Sequence, residues 1–461
     1  MPFITTQQNE KIHVLVKKPQ TPAKGVLFLM HGLGSASTEK IIQATQKAYA
    51  DNGWTSVAFD CRHAFGKSSG SLEKARLSTY FEDLNTIIDW AQKQDFFVEP
   101  FGLAGHSLGG AAVLKYAEHH SHRVNHLVLI APVLSGKLWE EACLLNIPDF
   151  YREWQKNGSF FYQDPLYPDW KGSISYDVLK DTFSYDAFSF TDKLKMPVSI
   201  FVGQNDAVSL VSANQQFYDR LHGFKMIRIF KKADHTLRTE QNAVDLGLAV
   251  SDFLNMTADP KKYYTTVFEH KIIPAIIPVS NQPRYGYHGI SHTEQVGLFA
   301  LDYALTLRKN PLPVLWAAGL HDCARTNDAY DETHGPRCVP LARKFLKAYE
   351  DQLTPTEIQQ ILYAVEHHTT GRQAPDYVAA CLWDADRTRL SWERGYQADY
   401  FTTARAKEVA ALEDEGQNAY LKAQQTYLME NGLKTKQAYE KEKNSLMTMI
   451  RNKGFKQQTI T

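Results

Sequence analysis

For its first 254 residues the chain alternates short strand-like runs with stretches of helical period, and beyond that point the strand pattern does not return. The runs are GVLFLMHG, WTSVAFD, FGLAGHS, HLVLIAP, PVSIFVG and MIRIFKKADH. This rhythm predicts a mostly parallel sheet covered by helices. The segment ADPKKYYTTVFEHKIIPAIIPVSNQPRYG is dotted with proline and breaks the alternation, which places a boundary between Asn255 and Tyr285. After it, SHTEQVGLFALDYALTL, PVLWAAGLHDCA, CVPLARKFLKAYE, PTEIQQILYAVEHH and YVAACLWDADRTRL all space their apolar residues as helices do. The expected organisation is an α/β domain over 1–255, a linker over 256–284, an all-helical domain over 285–403 and a helical tail over 404–461. The tail is rich in Lys, Glu and Gln without a sustained heptad, which argues against a coiled coil.

At 461 residues and 43% hydrophobic, the chain can bury more than one core. Lys plus Arg and Asp plus Glu number 51 each, so net charge points to neither nucleic acid nor an anionic membrane. No apolar stretch is long enough to span a bilayer. Five cysteines without CxxC spacing, and a start that lacks a signal-peptide apolar region, lead us to expect a reducing cytoplasm.

The stretch FGLAGHSLGG carries G-x-S-x-G between a strand-like run and the helical run AAVLKYAEHH. In that context the pattern suits a strained turn that pushes the Ser107 hydroxyl outward, with Gly105 and Gly109 allowing strand and helix to approach closely. Such a nucleophile needs an acid and then a histidine at later strand ends. Asp206 follows PVSIFVG and His235 follows MIRIF, in that order.

On these residues, about Gly25 to Leu254 resemble the α/β-hydrolase superfamily, most of all small bacterial acyl esterases of the cinnamoyl or feruloyl kind. The resemblance implies a Ser107, His235, Asp206 triad. It also makes HGLG an oxyanion loop, with the backbone N–H groups of Leu33 and Leu108 as donors. DCRHAFGKSSG resembles a family loop but carries Arg62-His63-Ala64-Phe65 in place of part of its pattern. The aromatic-dense segment between Gly136 and Thr191 is expected to form a cap over Ser107 and an apolar acyl or aryl pocket. Two decoys are set aside. FGKSSG lacks the first glycine of a P-loop, and the histidines of EHHSHRVNH, namely His119, His120, His122 and His126, fit a solvated turn rather than a metal cluster.

In LWAAGLHDCARTNDAYDETHG an apolar run stops on His321 and Asp322. Alone, the pair fits a packed histidine held by its neighbour. The helical half, however, also holds His288, His292, His334, His367 and His368 near helix ends, with Asp384 and Asp386 in LWDADR. One group per helix is how a bundle builds a metal site. The ordered set H, HD, HH, D resembles the HD-domain metal-dependent phosphohydrolases over about Tyr285 to Tyr400. It implies that His292, His321, Asp322 and Asp386 hold a first metal, with Asp322 bridging to a second held by His334, His367 and His368. His288 competes with His292, and Asp384 with Asp386, which is favoured because it precedes Arg387. One or two divalent transition ions, Fe, Mn, Co, Ni or Zn, suit such ligands, and Arg325, Arg337 and Arg387 are candidates to hold phosphate. The expectation is a bifunctional hydrolase acting on small-molecule acyl esters and on phosphate esters, nucleotides among them. The alternative is one catalytic domain regulated by the other as a ligand-sensing module.

Overall fold

The computed structural model describes residues 2–280, 288–327, 331–394 and 397–412. These fall into two compact units. The first comprises Met1–Tyr263 together with Arg308–Asn310 and Lys344–Ile358; the second takes the remaining residues from Tyr264 onward.

The first unit is built on eight strands: β1 (Phe3–Thr5), β2 (Lys11–Lys17), β3 (Val26–Met30), β4 (Thr55–Phe59), β5 (Phe101–His106), β6 (Val124–Ile130), β9 (Val198–Gly203) and β10 (Lys225–Phe230). Their order in the sheet is β1-β2-β4-β3-β5-β6-β9-β10. Only β1 and β2 run antiparallel to their neighbours; from β4 to β10 all pairs are parallel. Strands β3, β4, β5 and β9 are buried along their whole length, which explains why they read as continuous apolar runs. Helices α1 (Lys40–Asp51), α2 (Leu77–Ala91), α3 (Leu108–His120), α7 (Val211–Arg220) and α8 (Glu240–Ala258) supply the layers that cover them. Between β6 and β9 lie α4 (Gly136–Asn146), α5 (Pro148–Asn157), the antiparallel hairpin β7 (Ser159–Gln163) and β8 (Lys171–Ser175), and α6 (Asp177–Thr182). This insertion has an aromatic core of its own, with Trp154 packed edge-on to both Phe160 and Tyr176 at 5.3 Å.

As far as Val279 the proline-dotted segment is helical. It runs as α9 (Pro260–Val267), a wider π turn over Phe268–Ile272 and α10 (Ile273–Ile276). Phe268, Ile272 and Ile276 are buried in the second unit: a Cβ on Gly297 would lie 2.0 Å from Phe268, and one on Gly319 2.3 Å from Ile276 and 3.0 Å from Ile272. That unit continues through α11 (Ile290–Thr306), α12 (Pro311–Leu320), α13 (His334–Leu346) up to Arg343, α14 (Pro355–His367) from Gln359 on, and α15 (Tyr377–Arg394), with no strand among its described residues. The expected tail lies outside the described residues beyond 412, and the backbone is helical over 404–412. All five cysteines are free and buried. Among the described residues no helix is long and apolar enough to cross a membrane.

His126, one of the decoy histidines, is a core residue. Its ring stacks on Tyr49 and meets the edge of Trp54. Its Nε2 lies 2.6 Å from the Tyr49 hydroxyl and its Nδ1 2.8 Å from Asn125 Oδ1, so the neutral ring is fully paired. Burial lowers its pKa to about 3. Because the folded value lies below the ordinary ~6.5, the unfolded chain takes up a proton there that the folded chain does not. Stability is therefore full above about pH 6.5 and is lost as pH falls toward 3. Unfolding free energy of the first unit should decline across that window, His126 contributing at most ~1.4 kcal/mol per pH unit. His126→Phe should flatten the slope in denaturant titrations at pH 4 to 7; an unchanged slope would exclude His126 as its source.

Candidate active sites

Ser107 stands at a sharp turn between β5 and α3, with φ 52° and ψ −117°. Such a conformation costs a non-glycine residue on the order of 1–3 kcal/mol. It is tolerated because the neighbours lack side chains. A Cβ on Gly105 would lie 2.3 Å from the Gly109 carbonyl oxygen, and one on Gly109 2.5 Å from that of His31. The hydroxyl points to His235, whose Nε2 lies 2.9 Å from Ser107 Oγ. His235 Nδ1 lies 2.9 and 3.0 Å from the two oxygens of Asp206. Asp206 in turn accepts the backbone N–H groups of Val208 and Ser209 at 2.8 and 2.7 Å. The three residues sit just past β5, β9 and β10, so the parallel sheet brings them together at one edge.

The HGLG loop lies against the serine, a Cβ on Gly32 falling 3.0 Å from Ser107 Cβ. The Tyr80 hydroxyl and His31 Nδ1 both donate to the Gly32 carbonyl, while His31 Nε2 accepts from Cys61 N at 2.9 Å. This fixes the loop that carries Leu33 next to the turn that carries Leu108. The neighbouring DCRHAFGKSSG loop is held by charge. Arg62 pairs with Asp83, Glu10 and Glu82 at 2.5, 2.6 and 2.9 Å, and Asp60 accepts from Ser37 and from Lys67 N.

Two supports escaped the sequence. His106, directly before Ser107, lies with Nε2 3.0 Å from the His235 carbonyl, and burial lowers its pKa to about 4, so it holds that loop as a neutral donor. Its place in the serine motif was the available signal. Arg238, three residues after His235, pairs with Glu39 at 2.6 Å and with Asp164 of the cap, two carboxylates whose side chains are 0% exposed. No local pattern marks that contact, because the partners are far apart in sequence.

In the second unit the apolar α12 ends directly on His321 and Asp322, and Asp322 becomes the centre of a cluster. Its Oδ2 faces His288 Nδ1, His321 Nε2 and His292 Nε2 at 3.2, 3.6 and 3.8 Å. Its Oδ1 faces His334 Nε2 and His368 Nε2 at 2.8 and 3.6 Å. Asp386 lies 3.2 Å from His292 Nε2 and 4.0 Å from His321 Nε2. Three sets of donors converge closely enough to share an ion: His288, His292 and Asp322; His292, His321 and Asp386; Asp322, His334 and His368.

The donor chemistry fits a divalent cation. His321 and His368 give Nδ1–H to the carbonyls of Ala318 and Val365 at 2.6 and 2.7 Å, and His334 Nδ1 pairs with the Asp331 carbonyl. This arrangement turns the Nε2 lone pairs inward. His334 and His368 then face each other nitrogen to nitrogen at 2.7 Å, which neutral imidazoles do well only around a shared cation.

Residues 21–242 match the family model described as serine aminopeptidase, S33, and residues 289–391 match that of the HD domain. The chain is thus similar to α/β hydrolases in its N-terminal half and to HD domains in its C-terminal half. An uncharacterised 31.7 kDa protein from the traX-finO intergenic region of Escherichia coli is 23% identical over 240 residues, 46% of this chain and 83% of that protein. Among solved structures, ferulic acid-bound Est1E from Butyrivibrio proteoclasticus is 20% identical with a TM-score of 0.47, covering 56% of this chain and 99% of that one. Mouse alpha/beta hydrolase domain-containing protein 10 is 19% identical with a TM-score of 0.45, covering 55% and 98%.

Within the HD domain three expectations are corrected, those for His367, Arg337 and Arg387. His367 is not in the cluster: its Nε2 lies nearest Glu366 and Arg372, since one residue of helix turns it away from His368. Asp384 accepts the backbone N–H groups of Thr402 and Thr403 and is a structural anchor, not a rival to Asp386. Arg337 is committed to Asp331 and Thr333, and Arg387 to the Tyr400 carbonyl over the Trp383 ring. Arg325 does reach the cluster, with Nη1 3.1 Å from His334 Nε2 and 3.5 Å from Asp322 Oδ1. His288 and His292 both face Asp322, so neither displaces the other.

Asp322→Ala should release bound metal, measured by elemental analysis of protein purified without chelator, whereas Asp384→Ala should keep it. At a metal level 100-fold above Kd the ion contributes ~2.7 kcal/mol to the folded state, so the loss should lower the Tm of the HD domain by roughly 10 °C. Equal metal content in both variants would exclude Asp322 as a ligand.

Proposed function

We propose that the chain is a bifunctional hydrolase. Its α/β-hydrolase domain cleaves acyl esters through Ser107, and its HD domain cleaves phosphate esters with the help of bound divalent metal. The observation that carries the first activity is the unbroken line from Ser107 Oγ through His235 to Asp206, each contact within 3.0 Å. Ser107 attacks the acyl carbonyl while His235 Nε2 takes its proton and later returns it to the leaving alcohol. Asp206 orients the imidazole and stabilises its charged form. The N–H groups of Leu33 and Leu108 receive the oxyanion. The Tyr162 and Trp170 rings, each stacked on Phe65 beside the HGLG loop, form an apolar cover that suits an acyl or aryl group.

For the HD domain, the supporting observation is that Asp322 presents one oxygen to each of two histidine groups. His292, His321, Asp322 and Asp386 form the first metal site, with His288 an additional donor. Asp322, His334 and His368 form the second. A divalent ion there supplies a Lewis acid for a phosphoryl oxygen and lowers the pKa of its bound water. Arg325, buried beside Asp322 and His334, offers guanidinium donors to the phosphate.

All three triad residues belong to one unit and all the metal-facing residues to the other, which leads to a prediction of separability. Ser107→Ala should abolish hydrolysis of p-nitrophenyl acyl esters, a loss on the order of 10⁶ in kcat, and leave hydrolysis of phosphate esters unchanged. The double substitution His321→Ala and Asp322→Ala should do the converse. If Ser107→Ala silenced both reactions in folded, metal-loaded protein, the two domains would share one site and the bifunctional reading would be wrong.

A further inference from the structure

A fixed positive charge stands at one half of the metal cluster. Arg325 follows Asp322 by three residues, and its backbone N–H donates to the Asp322 carbonyl at 3.2 Å, a turn that folds the guanidinium back onto the carboxylate. Nη1 lies 3.5 Å from Asp322 Oδ1 and 3.1 Å from His334 Nε2. Nε reaches the Asn327 carbonyl at 3.4 Å, and the side chain is 5% exposed, so water screens its charge little. Asp322 Oδ1 and His334 Nε2 are also the atoms that converge with His368 Nε2. Arg325 therefore shares its acceptors with the second ion position.

That sharing sets two cations against each other. A dication bonded to His334 Nε2 at ~2.1 Å would stand within about 5 Å of Nη1, and like charges that close in a site shielded from water repel strongly. His292 and His321 face Asp322 Oδ2 instead, so the guanidinium weighs most on the second position. A phosphate dianion changes the balance. Its paired oxygens match the guanidinium fork better than one carboxylate oxygen and one ring nitrogen do, and its charge offsets that of the arginine.

We propose that Arg325 guards the second metal position, holding its acceptors until a phosphate dianion draws the guanidinium away, so that the second ion is taken up together with phosphate. The proposal rests on the metal reading of the HD domain. The test is equilibrium dialysis of the full chain against buffered Mn²⁺, Co²⁺ and Zn²⁺ in turn, with bound metal read by elemental analysis, in chloride and in inorganic phosphate at matched ionic strength. In chloride the wild type should bind its second ion at least about tenfold more weakly than its first. Phosphate should tighten that second ion by about tenfold or more. Arg325→Gln should tighten it by about tenfold or more in chloride, and phosphate should then add less than it does to the wild type. Loss of a side chain that only supports the fold or only binds phosphate would leave metal affinity unchanged or weaker, so the sign of the change decides. Arg325→Met, which keeps the buried stem without the charge, takes the place of Arg325→Gln if the latter does not fold, and the wild-type phosphate arm stands whatever the variants do. Two ions of equal affinity in phosphate-free wild type, a second Kd unmoved by phosphate, or a second Kd no tighter in the folded charge-free variant would overturn the proposal while metal at the first position persists. Absence of any bound ion in folded wild type with all three metals would overturn the metal reading and this inference with it.

Discussion

Each domain is organised around a carboxylate that has been taken out of water beside histidine. An unpaired buried carboxylate costs several kcal/mol, and the cost is offset only when partners arrive in good geometry. In the α/β-hydrolase domain the carboxylate is Asp206, and its partners are two backbone N–H groups of its own loop and one imidazole from the next strand end. In the HD domain it is Asp322, and its partners are imidazoles from before α11, from α11 itself, from α13 and from the end of α14. The first solution needs a parallel sheet, because only there do successive strand ends collect on one edge. The second needs helices with their ends turned inward, because no single helix can bring so many ring nitrogens to one point.

The fold was legible because both periodicities are strong. Strands buried on both faces give continuous apolar runs, and GVLFLMHG or PVSIFVG can hardly be read otherwise once helices alternate with them. What misled was proline. Between Asp259 and Val279 proline reads as linker, yet Pro260 and Pro278 lie in the first turns of their helical segments, where a missing N–H costs little. Pro274 lies where a π turn hands over to α10, and the wider ladder there accommodates the lost donor. The apolar residues Phe268, Ile272 and Ile276 were the better guide, since they are the face that packs.

Within the sites, legibility followed the range of the interaction. Ser107, Asp206 and His235 could be read because each occupies a stereotyped place after a strand. His321 and Asp322 could be read because an apolar helix ends on them. The choice between Asp384 and Asp386 is different in kind: two residues of α-helix are about 200° of rotation, so one carboxylate must face away, but sequence does not say which. The structure shows Asp384 spent on the Thr402 and Thr403 amides. The same geometry separates His368 from His367, one residue and about 100° apart.

The Arg238 contact shows how a cap can be held without a large interface. Glu39 precedes α1, Asp164 follows β7 in the cap, and Arg238 lies on the loop of His235, so one guanidinium joins three segments. Replacing a buried ion pair with apolar groups of similar size is often neutral in stability, but removing one partner leaves the others uncompensated. Here the uncompensated groups would be two carboxylates whose side chains have no contact with water. Glu39 also binds Ser35, beside the HGLG loop, and the Tyr162 hydroxyl donates to Asp164 at 2.9 Å. The network therefore does little that apolar packing could not do for stability. What it adds is direction: a planar guanidinium forked between fixed carboxylates accepts one orientation of the hairpin relative to the loop of His235, where an apolar seam would accept several.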